Sequence, residues 1–264
     1  MNKAALLITG VAVPNKEISF TEIYQGMLRC FPKEKFDYYF QSWDNSPHWK
    51  TFFTENNIEG PCYLYPEPTP YNSFVNYGKK HLDIPDQQFN PEHRPLQWYI
   101  FGDVYSENSY VIRKHNQMVG TALLIDEIEK RIPKLYTTYV RTRWDLILDH
   151  QFTNWEAYAK NCMLKPRNIF GFAGLNQKGS LIIDWIRRFG KKEMSDYYIP
   201  DLVIFFNRLA FDTKAVLEVH ERRNLLGAEW GWGQTLIHLS PLKNTPIVHK
   251  IHTSDVMIAR LLKK

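Results

Sequence analysis

The sequence has no apolar run long enough to cross a membrane. Its longest apolar stretches, such as residues 202–206, are far shorter than the roughly 18 to 20 residues that a membrane-spanning helix needs. The chain also begins directly with a strand-like run and has no signal-peptide pattern. We therefore expect neither secretion nor a membrane span, and we predict a cytoplasmic location.

Cysteine is scarce, and no pair has the spacing of a metal or redox motif. Cys30, Cys62 and Cys162 are far apart and cannot all pair. This pattern excludes a disulfide framework and a cysteine zinc site, and it fits a reducing compartment. We predict that the three side chains only pack.

A long basic block and an internal repeat are also missing. The net charge is +5, and the densest basic groups are two short clusters, Arg187, Arg188, Lys191 and Lys192, and then Arg222 and Arg223. A dedicated nucleic-acid-binding protein more often carries such a block. The modest excess of positive charge suits a protein that handles phosphates.

The hydrophobic residues, 44% of the chain, can fill the core of one α/β domain, which we place over residues 1–264. Apolar periodicity, capping residues and prolines predict alternating strands and helices. The predicted strands are 4–13, 36–43, 136–148 and 245–252, and the predicted helices are 19–30, 106–131 and 212–226. This alternation predicts a mostly parallel central sheet with helices on both faces.

Regular pattern fades between Asp44 and Gln97, where 8 of the 15 prolines lie. A loop of this length inside a compact domain is unusual, so the segment is either an insertion at the sheet edge or a lid over a site. We favour the lid.

Ligands of such sheets bind beyond the carboxyl ends of the strands. This rule points to Thr9 to Val13, to Trp43 and Asp44, and to Arg143 to Asp149.

The segment Val-Arg-Thr-Arg-Trp-Asp, residues 140–145, is the most informative in the chain. Strand alternation places Arg141, Arg143 and Asp145 on one face. Three buried charges need each other, a ligand or a metal. The segment therefore predicts either a buried ion-pair ladder or a site for phosphate and a divalent metal.

A family resemblance rests on the small-residue loop Leu-Ile-Thr-Gly at 7–10, the strand end Phe-Gln-Ser-Trp-Asp at 40–44, and Val-Arg-Thr-Arg-Trp-Asp-Leu-Ile at 140–147. Together they resemble the small glycosyltransferases of large viruses and the WavE-like lipopolysaccharide-synthesis proteins, of the GT-A type. A viral member would work in the host cytoplasm. In this sequence Arg143 stands where many GT-A enzymes have the first aspartate of a metal motif.

The resemblance implies a donor site and a metal site. Thr9, Gly10 and Asp44 would border a nucleotide-sugar, with a UDP-sugar as the expected donor. Asp145 would hold Mg²⁺ or Mn²⁺ at the donor diphosphate. Arg141 and Arg143 would brace this segment or touch phosphate.

The resemblance also implies two acidic catalytic residues. Asp201, in Ile-Pro-Asp-Leu-Val-Ile, would be the base that deprotonates the acceptor, and Glu229 is the second candidate. Each residue has an ordinary alternative, a turn after Pro200 for Asp201 and a helix N-terminus for Glu229.

Several other residues could line a site or simply pack. Trp230 and Trp232 could stack on a sugar or roof the core. His249 and His252 point to opposite faces of a strand, so at most one of them could join the site. We assign His115 to a helix face.

Three functions fit these features. The leading one transfers a sugar to a glycan or glycolipid hydroxyl. The second gives the sugar to a hydroxylated DNA base, for which the basic clusters would supply a cationic surface. The third is a nucleotide- or carbohydrate-binding module without catalysis.

Overall fold

The computed structural model describes residues 3–12, 14, 18–66, 109–132, 136–174, 198–221, 228–242 and 246–258, without the side chains of 109–116, 220–221 and 228–230. Its strands are β1 (Ala4–Thr9), β2 (Phe36–Trp43), β3 (Cys62–Tyr65), β4 (Thr138–Arg143), β5 (Leu146–Leu148), β6 (Asn168–Gly174), β7 (Val203–Asn207), β8 (Ile247–Thr253) and β9 (Val256–Ile258). Its α-helices are α1 (Phe20–Cys30), α2 (His48–Glu55), α3 (Ser109–Arg131), α4 (Trp155–Leu164), α5 (Thr213–Glu221) and α6 (Ala228–Gly233).

Seven strands form the central sheet in the order β3-β2-β1-β4-β7-β6-β8. Four neighbouring pairs are parallel, and only β7 runs antiparallel to its two neighbours, β4 and β6. The predicted mostly parallel α/β sheet is therefore confirmed.

Helices cover both faces of this sheet. On one face α1, α2 and α4 pack on the side chains of Leu6, Ile8 and Val140. On the other face α3, α5 and α6 pack on Ala5, Leu7 and Tyr139. Because neighbouring residues of β1 and β4 serve opposite faces, these strands are buried on both sides.

The first strand, helix and strand form as predicted. Ser19 and Glu22 form a reciprocal capping box, in which the Ser19 hydroxyl accepts from the Glu22 N–H (3.2 Å) and Glu22 Oε2 accepts from the Ser19 N–H (2.8 Å). Helix α1 ends before Pro32, and β2 has the predicted bounds. Asp212 likewise caps α5, since its carboxylate accepts from the Ala215 N–H (2.9 Å).

The predicted strand 136–148 is wrong as a single element. The chain turns at Trp144 and Asp145, and β5 leaves the central sheet to pair with β9 in a separate two-stranded sheet. Leu146 and Leu148 still enter the core beneath α1, which satisfies the apolar pattern without continuing the strand.

The segment predicted to be irregular is regular in its first part. Residues 48–55 form α2 and residues 62–65 form β3, an edge strand parallel to β2. The remainder of the predicted lid, residues 67–97, lies outside the described residues, so the single domain and its lid stay predictions. Among the helices that the structure describes, none has both the length and the hydrophobicity of a membrane span.

Candidate functional site

The sheet reverses its strand order between β1 and β4. The chain adds β2 and β3 on one side of β1 and then returns to place β4 on the other side. In open α/β sheets a ligand crevice forms outside the carboxyl ends of the strands at such a point. Thr9 and Arg143 are paired in register at this edge, so two predicted site segments meet there.

The antiparallel strand β7 brings Asp201 to the same edge. Because β7 runs opposite to β4, it starts where β4 ends. Asp201 lies two residues before β7 and forms a bridge with Phe172 of β6. The structure thus places Asp201 beside the Arg141–Asp145 segment, 60 residues away in sequence from Arg141.

Arg141 is fully buried at the centre of this edge. Its Nε donates to Thr9 Oγ1 (3.2 Å), its Nη2 donates to Gln117 Oε1 of α3 (2.7 Å), and its Nη1 donates to the backbone oxygen of Asp201. The guanidinium Cζ also lies 5.4 Å from the centre of the Trp232 ring. Arg141 therefore joins β1, α3, α6 and the start of β7.

Opposing effects act on the charge of Arg141. Together they lower its pKa to about 9: burial is the largest cause, the Asp201 carboxylate opposes it, Arg143 adds to the lowering, and Asp145 opposes it. A pKa near 9 keeps the guanidinium charged at neutral pH. With an exposed fraction of 0%, Arg141 offers no surface to a ligand. Burial thus favours the predicted bracing role, while its predicted phosphate contact stays untested.

Arg143 and Asp145 form a two-pronged ion pair. The Nε of Arg143 donates to one Asp145 carboxylate oxygen (2.8 Å) and Nη2 donates to the other (2.9 Å). Asp145 is 3% exposed, whereas the Arg143 side chain keeps 16% of its surface exposed. The ion-pair alternative is therefore present in the structure, and Arg143 is its more exposed partner.

A divalent cation does not fit this arrangement as it stands. Both carboxylate oxygens of Asp145 already accept hydrogen bonds from a cationic side chain, and the charge of Arg141 lies close by. Within the described ranges, no three histidine, cysteine, aspartate or glutamate side chains cluster as metal ligands. Asp145 as a metal ligand stays a prediction.

The three residues predicted to border the donor, Thr9, Gly10 and Asp44, differ in their exposure. Thr9 is 1% exposed, and its hydroxyl accepts a hydrogen bond from Arg141. Gly10 is partly exposed and has a φ of 103°, a conformation that favours glycine. Asp44 is exposed directly after β2, and its N–H donates to the backbone oxygen of Tyr65 (3.0 Å).

Three polar residues that the sequence analysis did not select support this edge. Gln41 of β2 accepts a hydrogen bond from the Gly10 N–H (3.1 Å) and thereby fixes the loop after β1. Gln117 and Thr121 of α3 face the sheet, where the hydroxyl of Thr121 lies 3.5 Å from that of Thr9. Gln117 and Thr121 are four residues apart and therefore lie on one face of α3. Two polar residues on a helix face that packs against a sheet are a sequence signal that could have identified them.

The other candidates are buried, lie on strand β8 or fall outside the described residues. Trp232 is fully buried, so its ring packs and cannot form a sugar platform. His249 stacks on Phe170 (4.5 Å between ring centres) within the sheet, and His252 lies near the carboxyl end of β8. Outside the described residues or side chains lie His115, Glu229, Trp230, the cluster from Arg187 to Lys192, and the pair Arg222 and Arg223.

A small cavity at the opposite edge of the sheet is not a donor site. It lies among Lys3, Lys35 and Glu156, near the amino ends of β1, β2 and β4, and its volume is about 20 Å³. Such a volume holds about one water molecule. The crevice at the carboxyl ends therefore remains the candidate site.

The cysteines pack as predicted. Cys30, Cys62 and Cys162 are all free thiols, of which Cys30 and Cys162 are buried. Burial raises the pKa of Cys30 and of Cys62 to about 12 and also raises that of Cys162. None of these thiols is poised to act as a nucleophile.

No protein-family model and no curated protein matches the chain. The resemblance to viral and WavE-like glycosyltransferases therefore stays a prediction, as does the cytoplasmic location.

Three solved structures resemble the fold. A candidate nucleotide-diphospho-sugar transferase from Desulfovibrio desulfuricans has 8% identity and a TM-score of 0.37, over 96% of this chain and 80% of that one. A mannose-1-phosphate geranyltransferase from Thermus thermophilus has 10% identity and a TM-score of 0.42, over 96% and 74%. Mouse xyloside xylosyltransferase 1 has 13% identity and a TM-score of 0.41, over 95% and 85%. Likenesses of this level transfer no donor, acceptor or catalytic residue to this chain.

Proposed function

We propose that the protein transfers a sugar from a nucleotide-sugar, with a UDP-sugar as the expected donor, to a hydroxyl group of a glycan or glycolipid. One observation carries the proposal. At the point where the strand order reverses, a guanidinium–carboxylate pair (Arg143 and Asp145) and a second carboxylate (Asp201) lie around one buried arginine. The resemblance in the loop after β1 and in the segment 140–147 supports the same function.

These groups match the two demands of glycosyl transfer. The bond from the anomeric carbon to the diphosphate breaks, and the departing nucleoside diphosphate gains negative charge that Arg143 can offset. The acceptor oxygen forms a bond to the same carbon and, if the reaction inverts, loses its proton to the Asp201 carboxylate. Glu229 is the second candidate for this base.

A panel of nucleotide-sugars tests the proposal. UDP-, GDP-, ADP- and CDP-linked sugars are incubated with the protein, and release of the nucleotide is followed with and without simple glycan acceptors. We expect slow hydrolysis of at least one donor. A donor that binds in calorimetry but is never cleaved would instead support the non-catalytic binding module.

Asp145→Ala connects this activity to the site. Loss of the carboxylate frees Arg143 from its fixed position, and we expect turnover to fall by about 100-fold or more, which corresponds to roughly 3 kcal/mol. Asp126→Asn is the control, because Asp126 forms an exposed helical pair with Lys130. A folded Asp145→Ala protein with near-native turnover would remove Asp145 from the site.

The salt dependence of transfer distinguishes the acceptors. Transfer to a base in DNA should weaken steeply as salt rises. Binding to DNA releases cations that are condensed on its phosphates, and this release becomes less favourable at high salt concentration. Transfer to a neutral glycan should respond little to salt.

A further inference from the structure

We propose that the guanidinium of Arg143 itself binds the donor diphosphate and offsets its charge, so that donor binding and sugar transfer need no divalent cation. This inference rests on the proposed glycosyltransferase function. It concerns whether the donor diphosphate is bound by the guanidinium of Arg143 or by a divalent cation on Asp145.

The first support is the orientation of Arg143. Two of its N–H groups, on Nε and Nη2, are directed at the two oxygens of Asp145. This contact fixes the plane of the guanidinium and turns its Nη1 side away from Asp145. A planar, fixed guanidinium can engage two phosphate oxygens at once, and such two-pronged contacts are stronger than neutral hydrogen bonds.

The second support is the difference in exposure between the two arginines. Arg141 is fully buried and held by Thr9, Gln117 and Asp201, whereas the Arg143 side chain is 16% exposed at the edge. Arg141 can therefore act on a ligand only through its electrostatic field and by holding residues 141–145 in place. Of the two arginines, Arg143 is the one whose side chain keeps exposed surface.

The third support is the chemistry around Asp145. A divalent cation on Asp145 would have to share both carboxylate oxygens with Arg143, or displace it, while Arg141 repels it from behind. An anionic diphosphate is attracted by both arginines and opposed by the carboxylates of Asp145 and Asp201. Because both Asp145 oxygens already accept from Arg143, the pair is better suited to an anion at Arg143 than to a cation at Asp145.

Calorimetry with UDP, GDP, ADP and CDP tests the inference, first in excess EDTA and then with added Mn²⁺ or Mg²⁺. We expect the nucleoside diphosphate that binds most tightly to show affinities within about threefold in the two conditions, because no step needs the metal. Sugar release from the matching donor should likewise persist in EDTA.

Variants at the pair separate the guanidinium from the carboxylate. Arg143→Gln should weaken binding of the diphosphate by at least about 30-fold in EDTA, since it removes a charge-assisted contact. Arg143→Lys should fall between Arg143→Gln and the native protein, because it keeps the charge and loses the planar fork. Asp145→Asn keeps an oxygen that accepts from Arg143, so affinity should fall by less than about tenfold.

Arg208→Gln is the matched control. Arg208 forms the same kind of two-pronged pair with Glu129, at the opposite edge of the sheet, where the Nη2–Oε2 distance is 2.9 Å. Its loss should leave nucleotide affinity unchanged. Melting curves of all four variants show whether each is folded.

The outcomes separate the inference from the proposed function. If nucleotide binding or transfer needs Mn²⁺ or Mg²⁺, or if folded Arg143→Gln binds in EDTA like the native protein, the inference is overturned while glycosyl transfer stands. A loss of more than about 100-fold in Asp145→Asn would also overturn it, in favour of Asp145 as a metal ligand. If none of the four diphosphates binds in either condition, the proposed function itself fails.

Discussion

The guanidinium of Arg141 donates a hydrogen bond to the backbone oxygen of Asp201, two residues before β7 begins. The contact involves the main chain of Asp201 and not its carboxylate. A change of the Asp201 side chain therefore leaves this hydrogen bond in place, although it removes the carboxylate that supports the charge of Arg141.

Asp201→Asn tests the proposed base. Asparagine keeps the backbone oxygen that accepts from Arg141 and removes only the carboxylate charge. Donor affinity should stay close to native, while the lost support for the charge of Arg141 lowers stability. An amide cannot accept the proton of the acceptor, and we expect kcat to fall by about 100- to 10,000-fold. Steady-state kinetics and calorimetric donor binding measure the two quantities separately.

The turn alternative for Asp201 gives the opposite pattern. If the folded variant melts early and still transfers sugar at the native rate, Asp201 is a turn residue. The base must then be sought elsewhere, with Glu229 as the next candidate.

Arg141→Met tests whether the buried Arg141 side chain stabilises the site. Methionine fills part of the volume but makes none of the three hydrogen bonds, and it leaves the amide of Gln117 and the hydroxyl of Thr9 without their partner. We expect unfolding in urea to become easier by about 2 to 4 kcal/mol.

The control for this change is Arg131→Met. Arg131 is exposed on α3 and pairs with Glu127 four residues earlier. Exposed pairs of this kind contribute less than about 1 kcal/mol. Equal losses in the two variants would show that the Arg141 contacts do not stabilise the site.

Gly10→Ala tests the loop after β1. At Gly10 a Cβ atom would meet nothing within 4 Å, so the expected cost comes only from the backbone φ of 103°. We expect a loss of about 1 to 2 kcal/mol in unfolding free energy. Donor affinity should also fall, because the loop borders the crevice and is positioned by the bond from the Gly10 N–H to Gln41.

Gly60→Ala is the matched variant. Gly60 has a φ of 134°, equally open surroundings and a place between α2 and β3. It should lose similar stability with unchanged donor affinity. If both variants bind donor like the native protein, Gly10 does not border the nucleotide.

Alkylation of the thiols tests their burial. Because burial raises the pKa of Cys30 from 9.0 to about 12, and also that of Cys162, very little thiolate forms at pH 8. We expect iodoacetamide to modify these two residues only after unfolding, as measured by mass spectrometry. Rapid modification of Cys30 in the folded protein would contradict this.

The same shift predicts how stability depends on pH. A raised pKa means that the folded state keeps the proton longer than the unfolded chain. The contribution of Cys30 is therefore complete below about pH 9 and is lost as the pH rises towards 12. Urea unfolding of native protein and of Cys30→Ala between pH 7 and 10 should converge as the pH rises.

Local sequence signals determined most of the individual elements. The capping box at Ser19, the proline after α1, the apolar run of β1 and the aromatic-rich run of β2 depend on residues close together in the chain, and the structure confirms them. The sequence also indicated that Arg141, Arg143 and Asp145 could not remain alone in a buried strand, because isolated charges are costly to bury.

Only the tertiary structure decided how those charges are satisfied. Arg141 meets Thr9, Gln117 and Asp201, which are 132, 24 and 60 residues away, and no local pattern specifies such partners. The end of β4 at Arg143 was likewise decided by pairing of β5 with β9, more than 100 residues later. Strand order and register depend on which distant surfaces bury each other, so the sheet, and not the segment, brings Asp201 beside Arg141 and the Arg143–Asp145 pair.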